Sequence, residues 1–238
     1  MSSHRSIEQI SRAVVRCERC PKLREYCRRV GTLKKRAYLD HSYWAKPVPS
    51  FGDPNARLVL VGLAPGAHGS NRTGRMFTGD ASGDFLSPAL HRAGFANRSN
   101  AVAKDDGLTL RDCLITAAVR CAPPNNKPSP PEMRNCFPYL VEEFAALGQL
   151  RVVVGLGAIG MDAALKALRE LGFDLEPRRP QFGHGVETRA VREGRTVVAL
   201  ASYHPSRQNT NTGKLTRPMF DAIFTRANEL LGEPRPSP

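Results

Sequence analysis

The sequence predicts an α/β fold: a three-layer sandwich with a central four-stranded parallel sheet, in a single domain over 1–231 with a flexible tail at 232–238. Two observations lead there. Four short runs, 57–63, 113–120, 151–155 and 196–203, are apolar almost without interruption, the mark of strands buried on both faces. Each is followed by a loop and then a helical pattern, and such alternation stacks helices on both faces of a parallel sheet. Right-handed crossovers then gather the four post-strand loops, 64–82, 121–131, 155–160 and 203–213, on one edge. Open α/β sheets bind their ligands at that edge.

Element by element, 6–30 read as a helix broken at Pro21, which lacks the amide a helix interior needs. After the first strand comes a long loop rich in Gly, Ser, Asn and Thr, then a helical pattern over 84–96 with Pro88 inside it. The second strand runs into 123–132, whose prolines forbid regular structure, and Pro131 suits the first turn of a helix over 132–146. The third strand enters a helix over 157–172, closed by Gly172. Residues 174–195 suggest a loop and an edge strand, because polar and apolar side chains alternate from Val186 to Arg189. The fourth strand ends at His204-Pro205, and a last helix covers 217–231.

Composition narrows the function classes. With 41% hydrophobic residues a core forms without disulfides, and no stretch approaches the ~18 apolar residues of a membrane span. The first twelve residues hold no apolar segment of the kind that opens a secretory signal, so a cytoplasmic protein is expected. Charged residues make up 24% with both signs interspersed, which argues against wholesale disorder. The net charge is +13, from 27 Arg and 8 Lys against 22 acidic residues. A GC-rich genome accounts for Arg over Lys but not for the shortage of acids. A nucleic-acid partner does, because a strongly basic protein draws polyanions in at long range and Arg binds phosphate bidentately. Six cysteines without an export signal point to metal or redox chemistry rather than a disulfide framework.

Four motifs carry chemistry. Cys17 and Cys20 stand three apart just before Pro21, and Cys121 and Cys136 bracket the proline-rich loop. Thiolates so spaced hold one metal centre, and spacing alone leaves zinc and an iron–sulfur cluster equally open. The plainer reading of a cysteine as a small buried hydrophobe fits Cys113 and Cys27, but not Cys17 and Cys20, which sit among Arg and Glu. Next, residues 155–160 spell G-x-G-x-x-G between a strand and a helix. A dinucleotide site would need an acid ending a second strand some 20 residues on; no β-like run leads into Asp174 or Glu176. Close strand–helix packing, or backbone amides near Gly157 holding a DNA phosphate, explains the glycines as well. Third, the loop 62–86 is long and polar except for Met76 and Phe77. On spacing alone Phe77 reads as a loop anchor and Asp80 as a helix N-cap. Last, His204 ends a buried strand on the ligand-binding edge, stiffened by Pro205.

Taken together these motifs resemble family 5 of the uracil-DNA glycosylase superfamily, within its iron–sulfur-cluster branch. The resemblance runs from Cys17 to about Leu231 and rests on Cys17-x-x-Cys20-Pro21, residues 62–66, residues 72–80, residues 116–121 and Tyr203-His204-Pro205-Ser206 in that order. It implies the single-domain glycosylase sandwich and a structural [4Fe–4S] cluster on Cys17, Cys20, Cys121 and Cys136. It implies an enzyme that hydrolyses the N-glycosidic bond of uracil in DNA to leave an abasic site. Asp80 would be the acidic catalytic residue, His204 its partner on the departing base, and Phe77 a stacking face for the flipped base, against the reading from spacing alone. Many relatives carry an acidic or amide residue where this chain has Leu63-Ala64, and an Asn where it has Ala117; losing both implies a looser substrate pocket, open to deaminated bases beyond uracil such as hypoxanthine. Ser206, Arg207 and Gly157 are the candidates for contact with DNA, and the loop 205–213 for filling the gap a flipped base leaves. The expected partner is DNA, single- or double-stranded, bound by a monomer without an obligate protein partner, and thus in the nucleoid. Three rival functions share some of these features: a nicotinamide oxidoreductase, a non-catalytic DNA-binding protein, and an iron–sulfur redox protein.

Overall fold

The computed structural model describes residues 5–232, so 233–238 of the expected tail lies outside the described residues. The four apolar runs form the four parallel strands of one sheet: β2 (Leu58–Gly62), β3 (Cys113–Ala117), β4 (Val152–Leu156) and β7 (Arg195–Ser202). Every residue of β2, β3 and β4 is buried, as continuous apolar runs require. Three further strands, β1 (Phe51–Gly52), β5 (Asp174–Glu176) and β6 (Glu187–Arg192), widen the sheet to seven, in the order β1-β3-β2-β4-β7-β6-β5. All three pair antiparallel, β1 and β5 at the two edges and β6 between β5 and β7. The strand expected in 174–195 is β6, but β5 pairs along its outer side, so β5 and not β6 is the edge of the sheet; β6 is joined to β7 by Glu193-Gly194, both at positive φ as a tight right-twisted hairpin turn demands. β1 and β5 are too short to leave a periodic signal.

Helices cover both faces. Leu58, Leu60, Val152 and Val154 turn to one side, against Leu86 and Leu90 of α4 (Ala81–Arg92) and Phe220 and Phe224 of α8 (Arg217–Leu231). Val59, Val61 and Val153 turn to the other, against Leu140 and Phe144 of α5 (Pro130–Ala146) and Ala164 and Leu168 of α6 (Ala158–Glu170). Alternate residues of one strand thus feed two cores, which is the expected sandwich. The N-terminal helix is broken at Pro21 as expected, into α1 (Ile7–Val15) and α2 (Pro21–Leu33), with Pro21 in the first turn of the second. A third apolar cluster joins them to the body: Ile10, Val14 and Leu23 pack with Val119, Cys121, Cys136 and Tyr139. α4 begins at Ala81, three residues earlier than the pattern suggests, because Asp80 caps it. Two short helices lie on the ligand edge, α3 (Ser70–Thr73) and α7 (Arg207–Asn211). No helix among the described residues is long and apolar enough to cross a membrane.

Candidate active site

A cavity of about 520 Å³ opens at the carboxyl end of the parallel strands, a size suited to a small ligand. Its walls include Leu63, Ala64, Phe77, Asp80, Ala117, His204, Ser206 and Arg207. The structure therefore brings together all the base-pocket and catalytic candidates of the sequence, and two of the three DNA-contact candidates.

Asp80 does two things at once. Its Oδ1 accepts the N–H groups of Ser82 and Gly83, both at 3.1 Å, and so caps α4. Its Oδ2 takes no part in that cap and lies against the glycine loop: a Cβ on Gly69 would stand 1.8 Å from it. Burial pushes the carboxyl above the ordinary Asp range, while the Gly83 and Ser82 amides pull it back toward ionisation. The result is a desolvated carboxylate, anchored by one oxygen at the wall of the cavity.

Phe77 occupies a left-handed backbone position (φ 49), a strained geometry for a bulky residue. The turn lays its ring over the end of β2, so close that a Cβ on Gly62 would be 3.0 Å from the ring edge. Its ring centroid is 6.0 Å from that of His204. Gly62 pairs in register with Ala117, so two small residues face each other where β2 and β3 end. His204 follows β7; burial alone pushes its imidazole down to about 4, so it is neutral at pH 7. Its carbonyl, not its ring, receives the local hydrogen bonds, from Ser206 N–H at 2.8 Å and Asn209 Nδ2 at 2.9 Å. Ser206 caps α7, and Arg207 is exposed at the mouth.

The G-x-G-x-x-G run is a packing device. A Cβ on Gly155 would meet Met161 Cα at 2.5 Å and one on Gly160 the Val61 carbonyl at 2.3 Å, so strand and helix touch backbone to backbone. Gly157 lies behind His204 and its amide donates to the Ser202 carbonyl at 2.8 Å. That amide is therefore taken, and any phosphate at this end of α6 would meet the amides that follow it.

The lining residues that escaped the sequence reading include Lys35, Tyr38, His68 and Asn126. The first two come from a strap that crosses the glycine loop, with Trp44 and Ala45 N–H bonded to the carbonyls of Arg72 and Asn71 at 2.9 and 3.0 Å. Buried Arg72 laces the two together. It donates to the His68 and Gly79 carbonyls, both at 2.8 Å, and its guanidinium sits 4.0 Å over the Tyr38 ring. His68 Nδ1 is 2.9 Å from the Tyr43 hydroxyl. His68 and Asn126 each sit in a post-strand loop already marked as ligand-binding, which was the available signal; nothing in the sequence places 35–38 there.

Cys17, Cys20, Cys121 and Cys136 line one small cavity where the end of α1, the start of α2, the loop after β3 and α5 meet. Among the described residues no three metal-ligating side chains stand at the spacing of a single bound ion. An all-thiol set suits soft metals and iron–sulfur clusters, and a multi-iron centre holds its thiolates further apart than one ion does. N–H groups already point at the sulfurs: Arg120 N–H at 3.3 Å from Cys136 Sγ and Asn135 Nδ2 at 3.4 Å from Cys20 Sγ. Arg120 also lines this cavity, fully buried and paired with buried Glu143, yet its Nε and Nη1 have no partner. Orphaned buried cation donors beside four thiols fit an anionic sulfur-rich group. Cys113 is buried within β3, and Cys27 packs against Cys121.

The profile described as "Uracil DNA glycosylase superfamily" matches residues 49–229. A protein named type-5 uracil-DNA glycosylase from Thermus thermophilus is 48% identical over 225 residues, 94% of this chain and 98% of its own. Those of the same name from Mycobacterium tuberculosis and Pyrobaculum aerophilum are 45% and 44% identical, over 95% and 90% of this chain and 82% and 88% of theirs. With a profile spanning most of its length and relatives this similar end to end, the chain belongs to the uracil-DNA glycosylase superfamily, and within it to the type-5 enzymes.

Proposed function

We propose that the protein removes uracil, and also other deaminated bases such as hypoxanthine, from DNA by hydrolysing the N-glycosidic bond, leaving an abasic site. The observation that carries this reading is the divided carboxylate of Asp80, one oxygen spent on the helix cap and the other held at the wall of a cavity shared with His204 and Phe77. A target base lies inside the duplex and must swing out, at a cost of a few kcal/mol that is least for a mismatched base. Phe77 then stacks on it. Ala117, small where the cavity meets the end of β3, leaves room for a purine, and Asn126, the one carboxamide among the lining residues, can both donate to and accept from its edge.

As the C–N bond breaks, its electron pair leaves with the base and positive charge builds on the sugar. The Asp80 carboxylate stabilises that charge and takes a proton from the water attacking the sugar carbon; its desolvation makes it the better acceptor. Neutral His204 donates a ring N–H to a base carbonyl where negative charge collects. Arg207, Ser206 and Lys35 at the mouth, with the first-turn amides of α6, meet the backbone phosphates. Cys17, Cys20, Cys121 and Cys136 would hold a [4Fe–4S] cluster, whose contribution is to tie the N-terminal helices to the loop behind the cavity.

The test is Asp80→Asn assayed by single-turnover release of uracil and hypoxanthine from defined duplexes, with abasic sites read by alkaline cleavage. Asn caps a helix as well as Asp does and removes a desolvated charge, so the variant should melt no lower than the parent. Excision should fall about 10²–10⁴-fold, the usual worth of a general base, while binding to abasic DNA survives. Near-normal excision would remove Asp80 from the reaction.

A further inference from the structure

Beside the cavity, on the same edge of the sheet, lies a group of rings that the excision reaction does not use. The loop between β5 and β6 is zipped to β7, with Gly185 N–H bonded to the Ala201 carbonyl at 2.8 Å and Ala201 N–H to the Val186 carbonyl at 2.9 Å. This brings the loop up beside Tyr203, the neighbour of His204. His184 locks the arrangement. Its Nδ1 accepts the Tyr203 N–H at 3.2 Å, so its proton sits on Nε2, which donates to the Met219 carbonyl at 3.1 Å. The His184 and Tyr203 rings lie 5.2 Å apart, Phe182 stands 6.1 Å from Tyr203, and Lys214 Nζ is 5.0 Å over the Tyr203 ring.

Anchoring alone would bury Phe182, yet 40% of it is exposed, although the loop is already fixed by His184 and two backbone bonds. Charge points to the occupant. Residues 177–186 and 203–219 together hold Arg178, Arg179, Arg207, Lys214 and Arg217 and not one acid. An open aromatic face with Lys214 over its Tyr203 ring, in cation-rich segments and one residue along the chain from His204 of the cavity, suits a strand of nucleic acid: cations follow the phosphates and the ring takes a base.

We propose that Phe182, backed by Tyr203 and Lys214, is a second nucleobase site, which stacks an unpaired base of the DNA adjacent to the nucleotide in the excision pocket. It rests on the reading of this protein as a DNA glycosylase, and it adds a hold on the strand next to the target. Flipping leaves the neighbouring bases half-unstacked, and an aromatic platform beside the pocket would keep that distorted strand in place.

The experiment uses uracil-containing oligonucleotides, single-stranded and duplex, with 2-aminopurine placed at each position flanking the uracil. On the wild-type protein its fluorescence should be quenched at one flanking position, as stacking on an aromatic ring predicts. Phe182→Leu, which keeps apolar bulk against Tyr203 but lacks a flat π-face, should lose that quenching and bind single strands about tenfold more weakly or worse, while Phe182→Trp restores both. No quenching at any flanking position in the wild type, or equal quenching and affinity in Phe182→Leu, overturns the proposal. Uracil release by the wild type separates the two readings. Release with no flanking-base stacking sinks the second site alone, whereas no release from any duplex removes the glycosylase reading and this site with it.

Discussion

Gly69 offers a way to move the carboxylate proposed to react without touching its chemistry. Its φ of −97° is outside the left-handed region, and a side chain there would collide with what surrounds it. A Cβ there would lie 1.8 Å from Asp80 Oδ2, 2.6 Å from Cγ and 2.9 Å from Cβ, and the carboxylate would have to retreat by more than an ångström. Oδ1 is pinned by the Ser82 and Gly83 amides, so retreat means turning the free oxygen away from the cavity or giving up the cap, worth about 1 kcal/mol. Misplacing a reacting group by 1 Å costs about 10²-fold in rate. Gly69→Ala should therefore lower single-turnover uracil release by about 10²-fold, with abasic-DNA affinity near that of the wild type and a melting temperature lower by a few degrees at most. Gly66→Ala is the graded control: its Cβ would touch the same oxygen at 3.0 Å, a contact relieved by a small shift, so the loss should be much milder. Near-wild-type excision by Gly69→Ala, or an equal loss in both variants, would show that the position of Oδ2 does not set the rate.

Two further outcomes follow from the same site and from the cysteines. With burial holding the His204 imidazole at about 4 and pushing Asp80 above its ordinary range, the excision rate should fall on the acid side as Asp80 takes a proton, without an inflection at the ordinary His value of about 6.5. An inflection there that disappears in His204→Gln would mean that the imidazole works as a cation. Wild-type protein purified without oxygen should be yellow-brown and hold iron and acid-labile sulfide in equal amounts; Cys17→Ser or Cys136→Ser should lose them and Cys113→Ser keep them, whereas a colourless protein or one holding zinc would rule the cluster out.

What the sequence revealed, and what it withheld, divides along physical lines. Strands buried on both faces must be apolar throughout, so β2, β3, β4 and the four buried residues that end β7 stand out, and crossover handedness puts their loops on one edge. β1 and β5, of two and three residues, are held by the strand beside them rather than by a pattern of their own. The strap bearing Lys35 and Tyr38 precedes the first strand, and only its bonds to the backbone of 71–72 carry it over the cavity. The deeper lesson concerns Asp80 and Phe77, where the plain and the functional readings were set against each other as alternatives. The proposed function makes them one. A carboxylate has two oxygens, and a cap that fixes the first is what aims the second; a ring anchored over Gly62 is a ring held still enough to receive a base. A rigid site is built by giving each reacting side chain a structural bond as well, so an ordinary role read from sequence is no argument against a chemical one.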